Sequence, residues 1–478
     1  MESSKVFSFF SEICQIPRES GHEEQIISYL QQFAKKRSLE CKTDEAGNVL
    51  ICKPASYGMD KAPVVVLQSH SDMVCEKNSD SNHDFAKDPI NVTEENGWLI
   101  AKETTLGADC GIGMAAQLAI LDDENIVHGP IEALFTTEEE TGLTGAKSLK
   151  PGFLTGKYLI NLDSEDEGEL FIGCAGGIDT TARFMYKKEP LAPDVVYLKV
   201  GFFGATGGHS GDDIEKGRAN ANQLLASFLY QILEKHDISI CSIDGGNKRN
   251  AIAREAYAII AVKQEEKESV TAIFNKLEAE VKEEYSKSDP KLFGKIEAAE
   301  IHDWCIDKDT ARRLVYSLHG CPHGVLAMSQ DIAGFVETST NLASVKMNEE
   351  GIITVCTSQR SSINSARYNA AKRIESVFKL AGAEVIHENE YPGWKPMLDS
   401  KLLTLSRSSY KELFNADPVV RAIHAGLECG LFLDIYPYLD MISFGPTIKG
   451  CHAPGEKLDI ASVEKFWMLL IHILHRLK

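Results

Sequence analysis

Apolar positions recur at helical spacing over residues 22–36, where Ile26, Ile27, Leu30 and Phe33 share one face. Residues 48–52 then have the composition of a strand. The continuous run Val64, Val65, Val66, Leu67 within residues 63–68 predicts a strand buried on both faces. A glycine-rich stretch, Gly107 to Gly113, leads into an apolar helix through Leu121, and residues 130–136 and 157–163 have the character of two more buried strands. Strands separated by helices predict an α/β domain around a central, largely parallel sheet.

Residues 187–194 turn polar and proline-bearing, and the order of elements changes after them. Residues 195–203 alternate like a half-buried strand, 220–233 form an amphipathic helix, and 256–262 and 352–356 are strands. Helices are predicted over 269–286 and 363–380. This is an α+β domain of about two hundred residues, an ordinary domain size. After Tyr391-Pro392-Gly393-Trp394 the α/β character returns, ending in a helix over 460–477. The predicted architecture is a discontinuous α/β domain, residues 1–194 and 392–478, interrupted by an inserted domain at 195–391.

Composition narrows the function. The chain has 478 residues, 43% hydrophobic and 25% charged, which excludes global disorder. Seventy acidic residues against fifty basic ones leave a net charge of −20, a field that repels nucleic-acid backbones and anionic membranes. The opening residues lack the pattern of a secretory signal, and no apolar stretch is long enough to span a bilayer. The twelve cysteines include no Cys-x-x-Cys pair, as expected of reduced thiols in a cytoplasmic protein.

The chemistry concentrates at strand ends. His70 and Asp72 stand two apart after the valine run, so on an extended chain the carboxylate can hold the imidazole while the other ring nitrogen binds metal. Asp109 lies in the glycine-rich helix entrance. The next strands deliver Glu138-Glu139-Glu140 and Asp163, and His452 follows Gly450-Cys451 near the C-terminus. Ligands of open α/β sheets gather beyond the carboxyl ends of the strands. Taken singly, these residues are those of a turn, a solvated acidic patch or a surface histidine. Together, two histidines and three carboxylates suit two Zn²⁺ or similar ions sharing one carboxylate bridge, with one further carboxylate left as base.

The ordered set His70-x-Asp72, Gly107-Ala108-Asp109, Glu139-Glu140-x-Gly142, Asp163 and His452 resembles the M20 family of co-catalytic zinc peptidases, and within it the peptidase D group of Xaa-His dipeptidases. Further matching phrases are Gly173-Cys174-Ala175-Gly176-Gly177 and His424-Ala425-Gly426-Leu427-Glu428-Cys429-Gly430, so the resemblance spans nearly the whole chain. It implies an inserted lid domain and a homodimer. One zinc would take His70 and Asp163, the other Glu140 and His452, with Asp109 bridging. Asp72 would orient His70, and Glu139 would act as general base and then acid. The Glu-Glu-x-Gly spacing to Gly142 selects Glu139 and Glu140 from the run of three. An Asp at position 163 goes with dipeptidases and aminopeptidases of the superfamily.

In the inserted domain, Gly207-Gly208-His209-Ser210-Gly211 resembles the family's lid motif, whose His stabilises the oxyanion. Asn250 resembles the lid Asn that contacts substrate, and Arg360 the residue that binds the substrate carboxylate. Glu428 either receives a substrate ammonium or caps a helix. The implied activity is hydrolysis of dipeptides, preferentially Xaa-His and including carnosine-like ones, by a water held between two zinc ions, with Co²⁺ or Mn²⁺ as substitutes. The alternatives are an N-acyl amino-acid deacylase, a tripeptidase, or a non-catalytic peptide- or metal-binding relative. A two-metal nucleic-acid hydrolase is opposed by the acidic balance and the lack of a basic stripe.

Overall fold

The computed structural model describes residues 3–478. The chain forms two compact units: one runs up to Gly173 and continues through Trp394–Ala422 and Leu427–Lys478, and the other comprises Cys174–Gly393 with Ile423–Gly426.

The first unit is built on an eight-stranded sheet in the order Glu40–Thr43, Val49–Lys53, Ile131–Thr136, Val65–His70, Tyr158–Asn161, Asp440–Ser443, Glu169–Cys174, Val419–Ile423. The four neighbouring strands from Ile131–Thr136 to Asp440–Ser443 pair in parallel. The hairpin Glu40–Lys53 and the strand Glu169–Cys174 add antiparallel flanks, so the sheet is mixed. Val65–His70 and Ile131–Thr136 are buried at every position, as expected of central strands covered on both faces. One cover is the helix Ala108–Asp122, whose residues from Cys110 to Leu121 are all buried. It packs on the helix Ser4–Ile13 and on Val65–His70. An apolar character on every side, rather than a stripe, is what such a doubly covered helix requires. Because the central strands are parallel, His70, the Glu138–Glu140 run and Asp163 all emerge at the same end of the sheet.

The second unit carries a nine-stranded sheet whose main path is Phe293–Ala298, Val195–Phe203, Ala256–Lys263, Ser239–Gly245, Val336–Met347, Ile352–Ser361, Gly176–Met185, Glu384–Tyr391, with Gly324–Met328 paired to Val336–Met347. Its pairings are antiparallel. The helices Ala221–Leu233, Lys267–Glu284, Lys308–Gly320 and Asn364–Leu380 contribute Phe228, Phe274, Leu314 and Phe378 to its core.

The unit boundaries fall at 173/174 and 393/394, whereas composition places them at 194/195 and 391/392. The difference has a clear cause. Gly176–Met185 pairs along its length with Ile352–Ser361, and on its other side with Glu384–Tyr391, so it belongs to the inserted sheet. The polar stretch 187–194 therefore lies inside the inserted unit, where Lys188–Pro190 pairs with Trp304–Ile306.

Candidate active site

The acidic and imidazole groups of the site arrive on several elements of the first unit. His70 ends the strand Val65–His70 and is 1% exposed. Its Nδ1 lies 3.3 Å from Asp72 Oδ1, at ion-pair distance but off hydrogen-bond alignment. Its Nε2 faces two acids at once, Asp109 Oδ1 at 3.0 Å and Asp163 Oδ1 at 3.2 Å. Asp109 is shared in turn, with Oδ2 3.3 Å from His452 Nε2, which also lies 3.0 Å from Glu140 Oε2. Asp109 thus stands between the two imidazoles, and a pair of acids meets the Nε2 of each ring.

Asp72, fully buried, ties two loops together. Its Oδ1 accepts from the Glu139 N–H at 3.1 Å, and its Oδ2 from the Glu140 N–H at 3.2 Å and the Ser20 hydroxyl at 2.7 Å. Burial would raise the Asp72 pKa, but His70, Ser20 and the Glu139 amide together hold it down at about 2. The same run turns Glu138 the other way. Its backbone φ is 49°, and its N–H donates to Glu23 Oε1, leaving Glu140 as the acid that meets His452.

Two buried residues that sequence patterns did not single out hold the frame. The Arg18 guanidinium, 2% exposed, donates to the backbone carbonyls of Ser71, Asp72 and Gly107. Glu456 accepts from three successive backbone N–H groups, Leu106 at 2.7 Å, Gly107 at 3.0 Å and Ala108 at 2.8 Å. Consecutive amides converging on a carboxylate form an anion nest, and here the nest sets the loop that presents Asp109. Gly107 stands at φ 68°, and a Cβ there would meet Arg18 Nη2 at 2.5 Å. Conformation and space both require glycine. The only sequence signal for Glu456 was its place four residues after His452, and Arg18 had none.

Glu428 is 0% exposed. Its Oε2 accepts from Gln68 Nε2 at 2.6 Å and from Thr136 Oγ1 at 2.9 Å, while Oε1 has no partner. It precedes the helix Cys429–Ile435 but its side chain makes no capping bond. Burial pushes its carboxyl up to about 8.

The electrostatics call for a cation. His452 is raised to about 11 by its hydrogen bonds to Asp109 and Glu140. Burial opposes protonation of His70, but Asp163, Asp109 and Asp72 outweigh it and raise its pKa well above the ordinary value. Burial, then repulsion from Asp109, lifts Asp163 to about 6. One N–H on His70 Nε2 cannot satisfy both Asp109 and Asp163, and Asp163 Oδ1 is left without an aligned partner. A divalent cation, which accepts several N and O donors at once, resolves both problems. The atoms of His70, Asp109 and Glu140 lie close enough together to ligate one ion, as do those of His70, Cys110 and Asp163. The residues present therefore fit a metal centre. Glu139, with no ligand contact of its own, has its carboxyl raised by burial and by the neighbouring Asp163, Glu428 and Glu140.

The second unit brings together the other three predicted residues. His209 Nε2 lies 3.4 Å from Arg360 Nη2, its Nδ1 is 3.3 Å from Asp212 Oδ2, and the Asn250 carbonyl accepts from the Ser210 N–H at 2.8 Å. Arg360 is 8% exposed, and Asn250 is exposed.

Imidazoles and carboxylates gathered at the carboxyl ends of a central parallel set of strands are the donor set of a metal-dependent enzyme. Residues 66–476 match the model of peptidase family M20/M25/M40, and the chain belongs to this family of metal-dependent peptidases. It is 41% identical over 469 residues to the cytosol non-specific dipeptidase of Escherichia coli (strain K12), covering 98% of this chain and 96% of that one. The crystal structure of aminoacylhistidine dipeptidase from Vibrio alginolyticus matches at 40% identity with a TM-score of 0.94, over 100% of this chain and 97% of that one. A tripeptidase from Staphylococcus aureus shares the fold, with a TM-score of 0.58 at 17% identity over 99% of this chain and 98% of that one. Among the described residues no helix is long and apolar enough to cross a membrane.

Proposed function

We propose that this protein is a cytosolic, homodimeric dipeptidase that hydrolyses free dipeptides, preferentially Xaa-His and including carnosine-like ones, with two zinc ions. The observation that carries the reading is Asp109, whose two oxygens each face a different buried or acid-paired imidazole. His70 and Asp163 would hold one ion, Glu140 and His452 the other, with Asp109 between them. Near-full-length similarity to two proteins named as dipeptidases supports the substrate class. The E. coli relative's name supports the cytosol, and the homodimer is carried by the family resemblance. When bound, the ions supply positive charge that acidifies water and polarises the scissile carbonyl.

This chain's own groups do the rest. The Glu139 carboxylate takes the proton of the attacking water and returns it to the leaving amine. Its raised affinity for protons suits a base that must hold one in transit. Asp72 fixes the His70 ring through Nδ1, which keeps Nε2 turned toward Asp109 and Asp163. His209 and Asn250 are assigned to the oxyanion and substrate, and Arg360 to the C-terminal carboxylate, which a guanidinium fork fits in two parallel hydrogen bonds. Glu428 is closed to solvent, so its assigned role is support of Gln68 and Thr136 rather than capture of a substrate ammonium.

Protein stripped of metal and reloaded with zinc should release amino acids from Ala-His, β-Ala-His and Gly-Leu, and leave N-acyl amino acids and tripeptides intact. Hydrolysis confined to acylated substrates would make it a deacylase, and preference for tripeptides would make it a tripeptidase. Silence with two metals bound would favour a non-catalytic relative.

Asp72→Asn places an amide N–H₂ against the Glu139 and Glu140 N–H groups or the imidazole, so at least one acceptor becomes a donor. Metal affinity or activity should fall about 10–100-fold, as read by competition with a chromogenic chelator. Unchanged affinity and turnover would remove Asp72 from the orienting role.

A further inference from the structure

Two glycine-bearing phrases of the sequence, Ala175-Gly176-Gly177 and His424-Ala425-Gly426, have no role in the site described above. In the second unit both close on the ring of Tyr391. Gly177 lies on Gly176–Met185, directly opposite Arg360 of Ile352–Ser361 on one side and directly opposite Tyr391 of Glu384–Tyr391 on the other. Directly opposed residues on neighbouring strands project to the same face, so Arg360 and Tyr391 flank the glycine across two strand spacings, about 9–10 Å between backbones. The missing side chain is what lets them meet. A Cβ on Gly177 would lie 2.5 Å from Tyr391 Cε1 and 2.7 Å from its hydroxyl oxygen, and one on Gly426 would lie 2.9 Å from Cε2. The ring thus fills the space over Gly177 and is held from a second side by Gly426.

At its tip, the Tyr391 hydroxyl oxygen accepts from Arg360 Nη1 at 3.1 Å. Burial raises the phenol above its ordinary pKa, which keeps it neutral. Arg360 Nη2 lies beside His209, and the Arg360 Nε, buried, has no partner. With one Nη tethered to tyrosine, the guanidinium has a set orientation and keeps N–H groups for a ligand. A long side chain held in this way has already lost the rotamer freedom that binding would otherwise remove.

We propose that Tyr391 is a positioning residue for Arg360, and that the Gly177–Tyr391–Gly426 stack thereby makes the enzyme select substrates with a free C-terminal carboxylate. The inference rests on the assignment of Arg360 as the carboxylate anchor.

The test compares Ala-His with its C-terminal amide for the zinc-loaded parent, Tyr391→Phe, Gly177→Ala and Arg360→Lys. Tyr391→Phe keeps the ring and loses only the tether. Its KM for Ala-His should rise about tenfold, the scale of a lost hydrogen bond to a charged group, with kcat within about twofold and the amide's kinetics almost unmoved. Gly177→Ala, which displaces the ring but keeps the hydroxyl, should shift the acid-to-amide ratio in the same direction. A general loss of structure would instead lower both substrates together and lower the melting midpoint. If Arg360→Lys collapses the acid-to-amide ratio while Tyr391→Phe and Gly177→Ala leave it at the parent value, the positioning role is wrong and the anchor stands. If Arg360→Lys also leaves the ratio unchanged, the anchor assignment itself fails and the inference goes with it.

Discussion

The Glu139→Gln enzyme is expected to turn over a free dipeptide about 10²–10⁴ times more slowly than the parent, the usual contribution of a positioned general base. Metal content and KM should stay close to the parent values. The substitution is nearly isosteric and touches none of the proposed ligands. The Glu139 backbone N–H, which donates to Asp72 Oδ1, is retained. What disappears is an oxygen able to take a proton from water and pass it to the amine. Paired measurements are needed, kcat by amino-acid release and metal stoichiometry by elemental analysis. Near-parent turnover with metal in place would require another base. A slow enzyme that has also lost metal would point instead to a structural role for the residue.

Asp109→Asn should be as damaging by a different route. Among the described residues, Asp109 alone is at ion-pair distance from both His70 and His452, through separate oxygens. An amide leaves one carbonyl oxygen and turns an N–H₂ toward one of the rings, so the site loses a negative charge and a bridging acceptor together. A fall in kcat/KM on the order of 10³, or about 4 kcal/mol of transition-state stabilisation, is expected. Metal stoichiometry should fall below that of the parent at equal free zinc. The fall in occupancy separates this variant from Glu139→Gln, in which occupancy holds. Full occupancy with near-parent activity would show that the two ion positions do not depend on Asp109.

Much of the first unit is legible in the residue pattern because its signals are local. The helix at 22–36 appears as Glu24–Lys36, the valine run as Val65–His70, and the last helix as Ile460–Arg476. The inserted unit is less legible. Gly176–Met185 follows the strand Glu169–Cys174 after a single residue, and its glycines and threonines do not mark where one sheet ends and the other begins. Only its pairings with Ile352–Ser361, more than 170 residues later in the register of Arg360 with Gly177, and with Glu384–Tyr391 assign it. The antiparallel flanks of the first sheet were hidden for the same reason, since a strand's composition does not say which way its neighbour runs.

By itself, the sequence determined which groups are available for chemistry and in what order: His70, Asp72, Asp109, the run Glu138–Glu140, Asp163 and His452 each sit next to a strand end or a glycine turn, and the family resemblance selects Glu139 and Glu140 from the run. The tertiary structure alone decided what holds those groups in place. Arg18 pins carbonyls 53 to 89 residues away, Glu456 reaches back about 350 residues to the amides before Asp109, and Tyr391 lies over Gly177. Such supports carry no periodic signal because their partners are single backbone groups or an absent side chain. They become visible only when the folded chain brings the buried charge and its amides, or the ring and its glycine, within reach of each other.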